Sequence, residues 1–174
     1  MNIIPEIAKR FSPTTFTNEA VSEEQMHALF TAAGRAASAF NEQPWRFVYA
    51  LKEDESAFNK LLDCLVEGNR AWAKDAAVLV ITTAKKTYSK NNQLNATYKH
   101  DLGLAVGNLC AQATAMGLHL HQMGGFSPEK AIEHLNIPED FEPVTAIAIG
   151  YYDGEFVEKP RKNVQEIAFR NSWK

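Results

Sequence analysis

The run Ala76-Ala77-Val78-Leu79-Val80-Ile81-Thr82-Thr83 places the tightest limit on what this chain can fold into. It carries no charge and is rich in β-branched residues, which fit a pleated strand. A strand turns alternate side chains to opposite faces, so a continuous apolar run leaves neither face for water. It must be an inner strand of a sheet with a covering layer on each side. Val144 to Tyr152 (VTAIAIGYY) reads as the last strong strand.

Segments of helical period supply the layers. Ser22-Glu23-Glu24-Gln25 is a capping box, followed by Met26, Leu29, Phe30 and Ala33, and predicts a helix to about Ala37. Glu53 to about Val66 carries Phe58, Leu61, Leu62 and Leu65, with Gly68-Asn69 as a break. Asp101 to Met116 is apolar on nearly every side, which predicts a fully buried helix. Its Gly103 and Gly107 lie one turn apart and open it to a close neighbour, and Gly117 suits its C-terminal end. Ser127-Pro128 starts a further helix that Asn136 ends. Residues 2–10 form a short helix, stopped before Pro13. Arg46–Leu51 and Leu118–Met123 read as strands, and the polar stretch Lys85–Thr97 as a mobile loop. At 174 residues, one domain over 1–174 is expected.

Several function classes lose support at this stage. A net charge of −3 offers no electrostatic case for nucleic acid or an anionic membrane. No apolar run approaches the ~18–20 residues of a membrane span. The start, Met1-Asn2-Ile3-Ile4-Pro5-Glu6, lacks the basic and long apolar regions of a signal peptide. Cys64 and Cys110 fall in predicted helices and read as buried free thiols of a cytoplasmic protein, with a disulfide as the alternative. His119 and His121 share a strand face, but no further ligand lies near in sequence, so no metal is expected. Neither a Gly-x-Gly-x-x-Gly turn nor a P-loop is present, nor any recognisable nucleophile motif.

The polar chemistry gathers elsewhere. Ser38-Ala39-Phe40-Asn41-Glu42-Gln43-Pro44-Trp45-Arg46-Phe47 sets amides, a hydroxyl and a proline between a helix and a strand. Amides both donate and accept, and so match a heteroaromatic ring edge or a sugar hydroxyl. Arg10 with Ser12, and the cluster Lys159, Arg161 and Lys162, suit a phosphate or are solvated surface charge. Gly124-Gly125 follows a strand and either admits a flat ligand against the backbone or makes an ordinary turn.

In combination these segments are more specific. Arg10-Phe11-Ser12, Phe16 to Val21, Ser38 to Phe47, Gly124 to Lys130, Ile149-Gly150-Tyr151 and Lys159-Pro160-Arg161-Lys162 follow one another in an order that closely resembles the nitroreductase family of FMN-dependent oxidoreductases. The resemblance spans nearly the whole chain, and Phe40-Asn41-Glu42-Gln43-Pro44-Trp45-Arg46-Phe47 is its most specific part. It implies an α+β fold, with a central, mostly antiparallel sheet flanked by helices, that forms a homodimer. It implies FMN as cofactor, NADH or NADPH as hydride donor, and a small electron acceptor such as a nitro compound or quinone. By the same resemblance, Arg10 and Ser12 hold the phosphate, ribityl chain and ring edge, and Arg161 with Lys162 or Lys159 clamps the phosphate. Ser38, Asn41 and Gln43 form a flavin loop given to the other subunit. Asn69 meets the pyrimidine end of the ring, and Gly124 and Gly125 lie beside N5. Phe11, Thr14, Ala37 and Ala39 depart from the family pattern, and the excursion at 85–97 is short. A flavin-storing or flavin-sensing protein without turnover is the alternative reading.

Overall fold

Val78 and Val80 enter one hydrophobic core and Leu79 and Ile81 another, each at most 2% exposed. Strand β2 (Val78–Lys85) is therefore covered on both faces, as its apolar run requires. The computed structural model describes residues 3–173; Asn2, placed in the opening helix by the sequence, lies outside them. The sheet contains β1 (Trp45–Leu51), β2, β3 (His119–Met123) and β4 (Phe141–Gly150), in the order β1-β2-β4-β3. Every pairing is antiparallel. Helices α2 (Glu23–Ala33) and α5 (Tyr98–Ala115) cover one face; α3 (Glu55–Asp63) and α6 (Pro128–Leu135) cover the other. The short helices α1 (Pro5–Ala8) and α7 (Val164–Ile167) bury no residue.

The local signals act largely as read. The Ser22 hydroxyl accepts from the Gln25 amide at 3.2 Å, and the Gln25 side chain accepts from the Ser22 amide at 2.9 Å. Helix α2 nevertheless ends at Ala33, four residues short of expectation, with Gly34 as its cap. Helix α5 closes through Gly117 at φ 75°, where Leu118 N–H donates to Ala113 O at 2.8 Å and Gly117 N–H to Thr114 O at 3.1 Å. The last strand starts at Phe141 rather than Val144, and includes Pro143. The register against β2 shifts there, and β3 pairs only with Ala146–Gly150, so on the β3 side no ladder bond depends on the missing proline N–H.

Two larger differences bear on function. Gly68 and Asn69 do not end a helix; they lie inside a separate one, α4 (Glu67–Ala73). The break falls earlier, at Cys64–Val66, because these residues leave the helix to bond the turn after β3. Helix α5 is also not enclosed by its own chain. Leu102, Ala105, Val106, Leu109 and Ala113 are buried, but Gly103, Leu104 and Gly107 are exposed. A Cβ built on either glycine would meet nothing within 4 Å.

Candidate flavin site

The chain leaves α1 at Lys9 and turns under Arg10, whose Nη1 donates to Ser12 Oγ at 3.2 Å. Pro13, next along, is buried, and its carbonyl is 2.8 Å from His121 Nδ1. A carbonyl can only accept, so His121 carries its proton on Nδ1. This bond ties the Arg10–Ser12 segment to β3. Phe11 packs edge-on against His119 at 4.8 Å, Tyr152 at 5.0 Å and Phe156 at 5.4 Å between ring centres. Phe11 is thus part of an aromatic wall. Burial pushes the His119 imidazole below its ordinary value and favours the neutral ring.

The C-terminal segment returns to this place. Arg10, Ser12, Lys159 and Arg161 line one cavity of about 410 Å³, with Phe11 and Phe156 on its apolar side. Convergent guanidinium, ammonium and hydroxyl donors are what a phosphate requires. Lys162 is exposed and does not line this cavity.

At the far end of β3, Gly124-Gly125 is bound to the segment between α3 and α4. Gly125 O accepts from Asn69 Nδ2 at 2.9 Å and from Val66 N–H at 3.1 Å. Ser127 N–H donates to Cys64 O at 2.7 Å. A Cβ on Gly125 would stand 2.7 Å from Asn69 Nδ2 and 2.9 Å from Val66 Cγ2, closer than real side chains approach. Gly124 is exposed, with nothing within 4 Å of a Cβ placed on it. Burial raises both the Cys64 and Cys110 thiols, which are free and offer no activated nucleophile.

The loop before β1 is held in an uncommon shape. Phe40, Asn41 and Gln43 have φ values of 52°, 58° and 50°. Such conformations cost on the order of 1–3 kcal/mol each and last only where the surroundings enforce them. Ser38 Oγ accepts from Gln43 N–H at 3.0 Å, and Gln43 Nε2 donates to Asn41 O at 3.1 Å. Arg46 Nη1 donates to Gln43 O at 3.0 Å, and Ala39 N–H to Asp101 Oδ2 at 3.1 Å. The Gln43 side chain therefore braces the loop, while Asn41 is exposed and the Ser38 hydroxyl keeps its hydrogen to donate elsewhere. Trp45 is 7% exposed and Phe47 stacks on Phe30 at 5.1 Å, so both anchor the strand that follows.

Residues 85–97, expected as a mobile loop, instead fold back on themselves. Thr87 pairs with Leu94, and Tyr88 N–H donates to Gln93 O at 2.8 Å. Asn92, at φ 57°, makes the turn. This hairpin grips the loop before β1: Glu42 Oε1 accepts from Ser89 N–H at 2.8 Å and from Ser89 Oγ at 2.5 Å. The Tyr88 ring meets Phe40 edge-on at 5.6 Å. Phe40 is 91% exposed. No local pattern marks the Glu42–Ser89 or Asp101–Ala39 contacts, because each joins segments far apart in sequence.

The Ser89 hydroxyl holds the Glu42 carboxyl below the usual range. A carboxyl depressed in the folded state stabilises it above its unfolded value, ~4.3, and loses that contribution as pH falls through the folded value. Carboxyl NMR titration should find Glu42 below the ordinary value, and Ser89→Ala should raise it part of the way back, since the residue 89 N–H and the Lys85 and Arg46 charges still act on it. An unshifted Glu42 in the unmodified protein would contradict the contact.

The two halves of the candidate site stand apart within one chain. Pro44 lies beside Lys85 at one sheet edge, whereas β3 is the other edge. Three strand spacings of ~4.8 Å and about five residues along β4 separate the loop from Gly124, on the order of 20 Å. Among the described residues, no group of three His, Cys, Asp or Glu could hold a metal ion, and no helix is long and apolar enough to cross a membrane.

The sheet and its covering helices form a fold shared with known proteins. The nitroreductase family model matches residues 7–97 and 51–151, and the chain belongs to that family. A crystal structure described as an oxidoreductase containing FMN superposes with a TM-score of 0.93 at 31% identity, covering 100% of this chain and 94% of that one. A nitroreductase family protein from Streptococcus pneumoniae shares the fold at a TM-score of 0.82 and 23% identity, over 95% of this chain and 98% of that one. The FMN reductase (NAD(P)H) of Bacillus subtilis is 24% identical over 91% of this chain and 69% of its own.

Proposed function

We propose that this chain is a single FMN-binding domain that works as an NAD(P)H oxidoreductase, with nitro compounds, quinones or related small electrophiles as acceptors. The observation that carries this reading is the convergence of Arg10, Ser12, Lys159 and Arg161 at one end of β3, with Asn69 and Gly125 bonded together at the other. These residues fit FMN. The cationic end suits its phosphate, and the open space at Gly124 leaves backbone free to approach a flat ring. FMN, when bound, supplies the redox chemistry by accepting a hydride from NADH or NADPH and passing it on.

The chain's own residues bind and orient. Arg10 and Arg161 neutralise phosphate charge; Ser12 donates to the phosphate or ribityl oxygens. Asn69 fixes the Gly124-Gly125 turn through Gly125 O and meets the pyrimidine edge. Ser38 and Asn41 serve the flavin of a second copy, since their loop is at the opposite sheet edge from their own chain's cavity. The exposed strip Gly103, Leu104 and Gly107 on α5 is then the contact across a two-fold axis. Lys162 assists from outside the cavity, and Gln43 shapes the loop. Buried free thiols agree with a reducing compartment such as the cytoplasm.

The test uses the purified protein. It should be yellow, or become so on adding FMN, and should consume NADH or NADPH with nitroaromatic and quinone acceptors. A protein that binds FMN but leaves it oxidised under NAD(P)H would establish storage or sensing instead. One that takes up no FMN would end the flavin reading.

A further inference from the structure

We infer that Asp101 is the positioning residue that holds the Ser38–Gln43 loop in the shape its flavin contacts require; this rests on the FMN reading above. Among the described residues the buried polar side chains are Thr82, Thr83, Asn95 and Asp101, so Asp101 is the one acidic or basic group in that set. A buried carboxylate persists only where donors compensate it. Its site in the first turn of α5 supplies part of this through the helix dipole.

Its direct partners are few. Ala39 N–H lies 3.1 Å from Oδ2, Thr97 Oγ1 3.4 Å from the same oxygen, and His100 Nδ1 3.4 Å from Oδ1. A hydroxyl has one hydrogen, and that of Thr97 goes to the nearer acceptor, Asn95 Oδ1, at 2.9 Å. The Ala39 amide is thus the shortest donor contact that Asp101 has. Ala39 sits between Ser38 and the left-handed pair Phe40 and Asn41. Fixing its N–H fixes the peptide plane that joins it to Ser38, and the start of the strained turn that carries Asn41. Asn95 Oδ1 accepts from both the Thr97 N–H and the Thr97 hydroxyl, which closes the end of the 85–97 hairpin next to the carboxylate and leaves the Ala39 amide as its closest donor.

The experiment compares Asp101→Ala and Asp101→Asn. Asparagine keeps an oxygen facing Ala39, so its FMN Kd should stay within about threefold of the unmodified protein, while alanine raises Kd about tenfold. Asp101→Ala should also change the visible circular dichroism of bound FMN, and Asp101→Asn should restore it. In the apoprotein, Asp101→Ala should speed hydrogen exchange at the Ala39 amide and leave the Ala105–Leu109 amides protected. Unchanged FMN Kd and dichroism, or unchanged Ala39 exchange, would overturn the assignment. So would loss of protection along α5 with no rescue by Asp101→Asn, because Asp101 would then serve the fold alone. Asp101→Ser repeats the test where the alanine variant does not fold. Faster Ala39 exchange in a protein that takes up no FMN would overturn the flavin reading and leave the loop contact intact.

Discussion

Arg10→Ala should weaken FMN binding by about 10- to 150-fold, the equivalent of roughly 1.5–3 kcal/mol for a hydrogen bond to a charged group. Arg10 combines two features that make its loss costly. Its guanidinium lines the same cavity as Lys159 and Arg161, and its Nη1 also holds the Ser12 hydroxyl at 3.2 Å. In the function proposed above, alanine removes a phosphate ligand and frees a second. Lys159 and Arg161 belong to the exposed C-terminal segment, so they are less well fixed and cannot substitute fully. Fluorescence titration of the apoprotein with FMN measures the change. The loss should shrink with rising ionic strength less than that of an Arg161→Ala variant, because Arg10 is half-buried and less screened. An Arg10→Ala protein with undiminished FMN affinity would remove Arg10 from the site.

Gly125→Ala should cost about 1–3 kcal/mol of fold stability, the usual range for forcing a methyl group into filled space. The new Cβ would stand 2.9 Å from Val66 Cγ2, on a β-branched side chain with little freedom to turn away. It would also stand 2.7 Å from Asn69 Nδ2, which now donates to Gly125 O. Moving Asn69 breaks that bond and shifts the polar side chain that holds the turn. FMN affinity should fall together with stability. Gly124→Ala is the informative contrast. Its Cβ enters open space, so stability should stay within about 0.5 kcal/mol, while FMN affinity drops if the ring lies against that backbone. Urea unfolding and FMN titration of the two variants separate the effects. A Gly125→Ala protein as stable as its parent would show that the contact relaxes freely.

Much of the fold was legible because its signals are local. The Ser22 box, the Ser127-Pro128 start, Gly117 and the apolar runs each act through neighbours within a few residues. Errors came where a distant segment competed. Gly68-Asn69 looked like a helix break, but the turn after β3 drew Cys64–Val66 out of the helix first, so the break moved upstream. The polar stretch 85–97 looked mobile, yet Glu42 binds it from outside its own sequence.

The candidate site divides in the same way. The residue types in Arg10–Ser12, Ser38–Phe47 and Gly124-Gly125 were visible as chemistry in the chain itself, and their order carried the resemblance to flavin enzymes. By itself the sequence determined that β2 must be an inner strand, where the helices are capped, and which polar groups exist. Only the tertiary structure decided which of them meet. By placing β4 between β2 and β3, it brought Arg10 to Arg161 from opposite ends of the chain, bonded Asn69 to Gly125, and left the Ser38 loop at the far edge of the sheet. The physical reason is that periodicity and capping are set over a few residues, whereas strand order depends on how whole layers bury their apolar faces together.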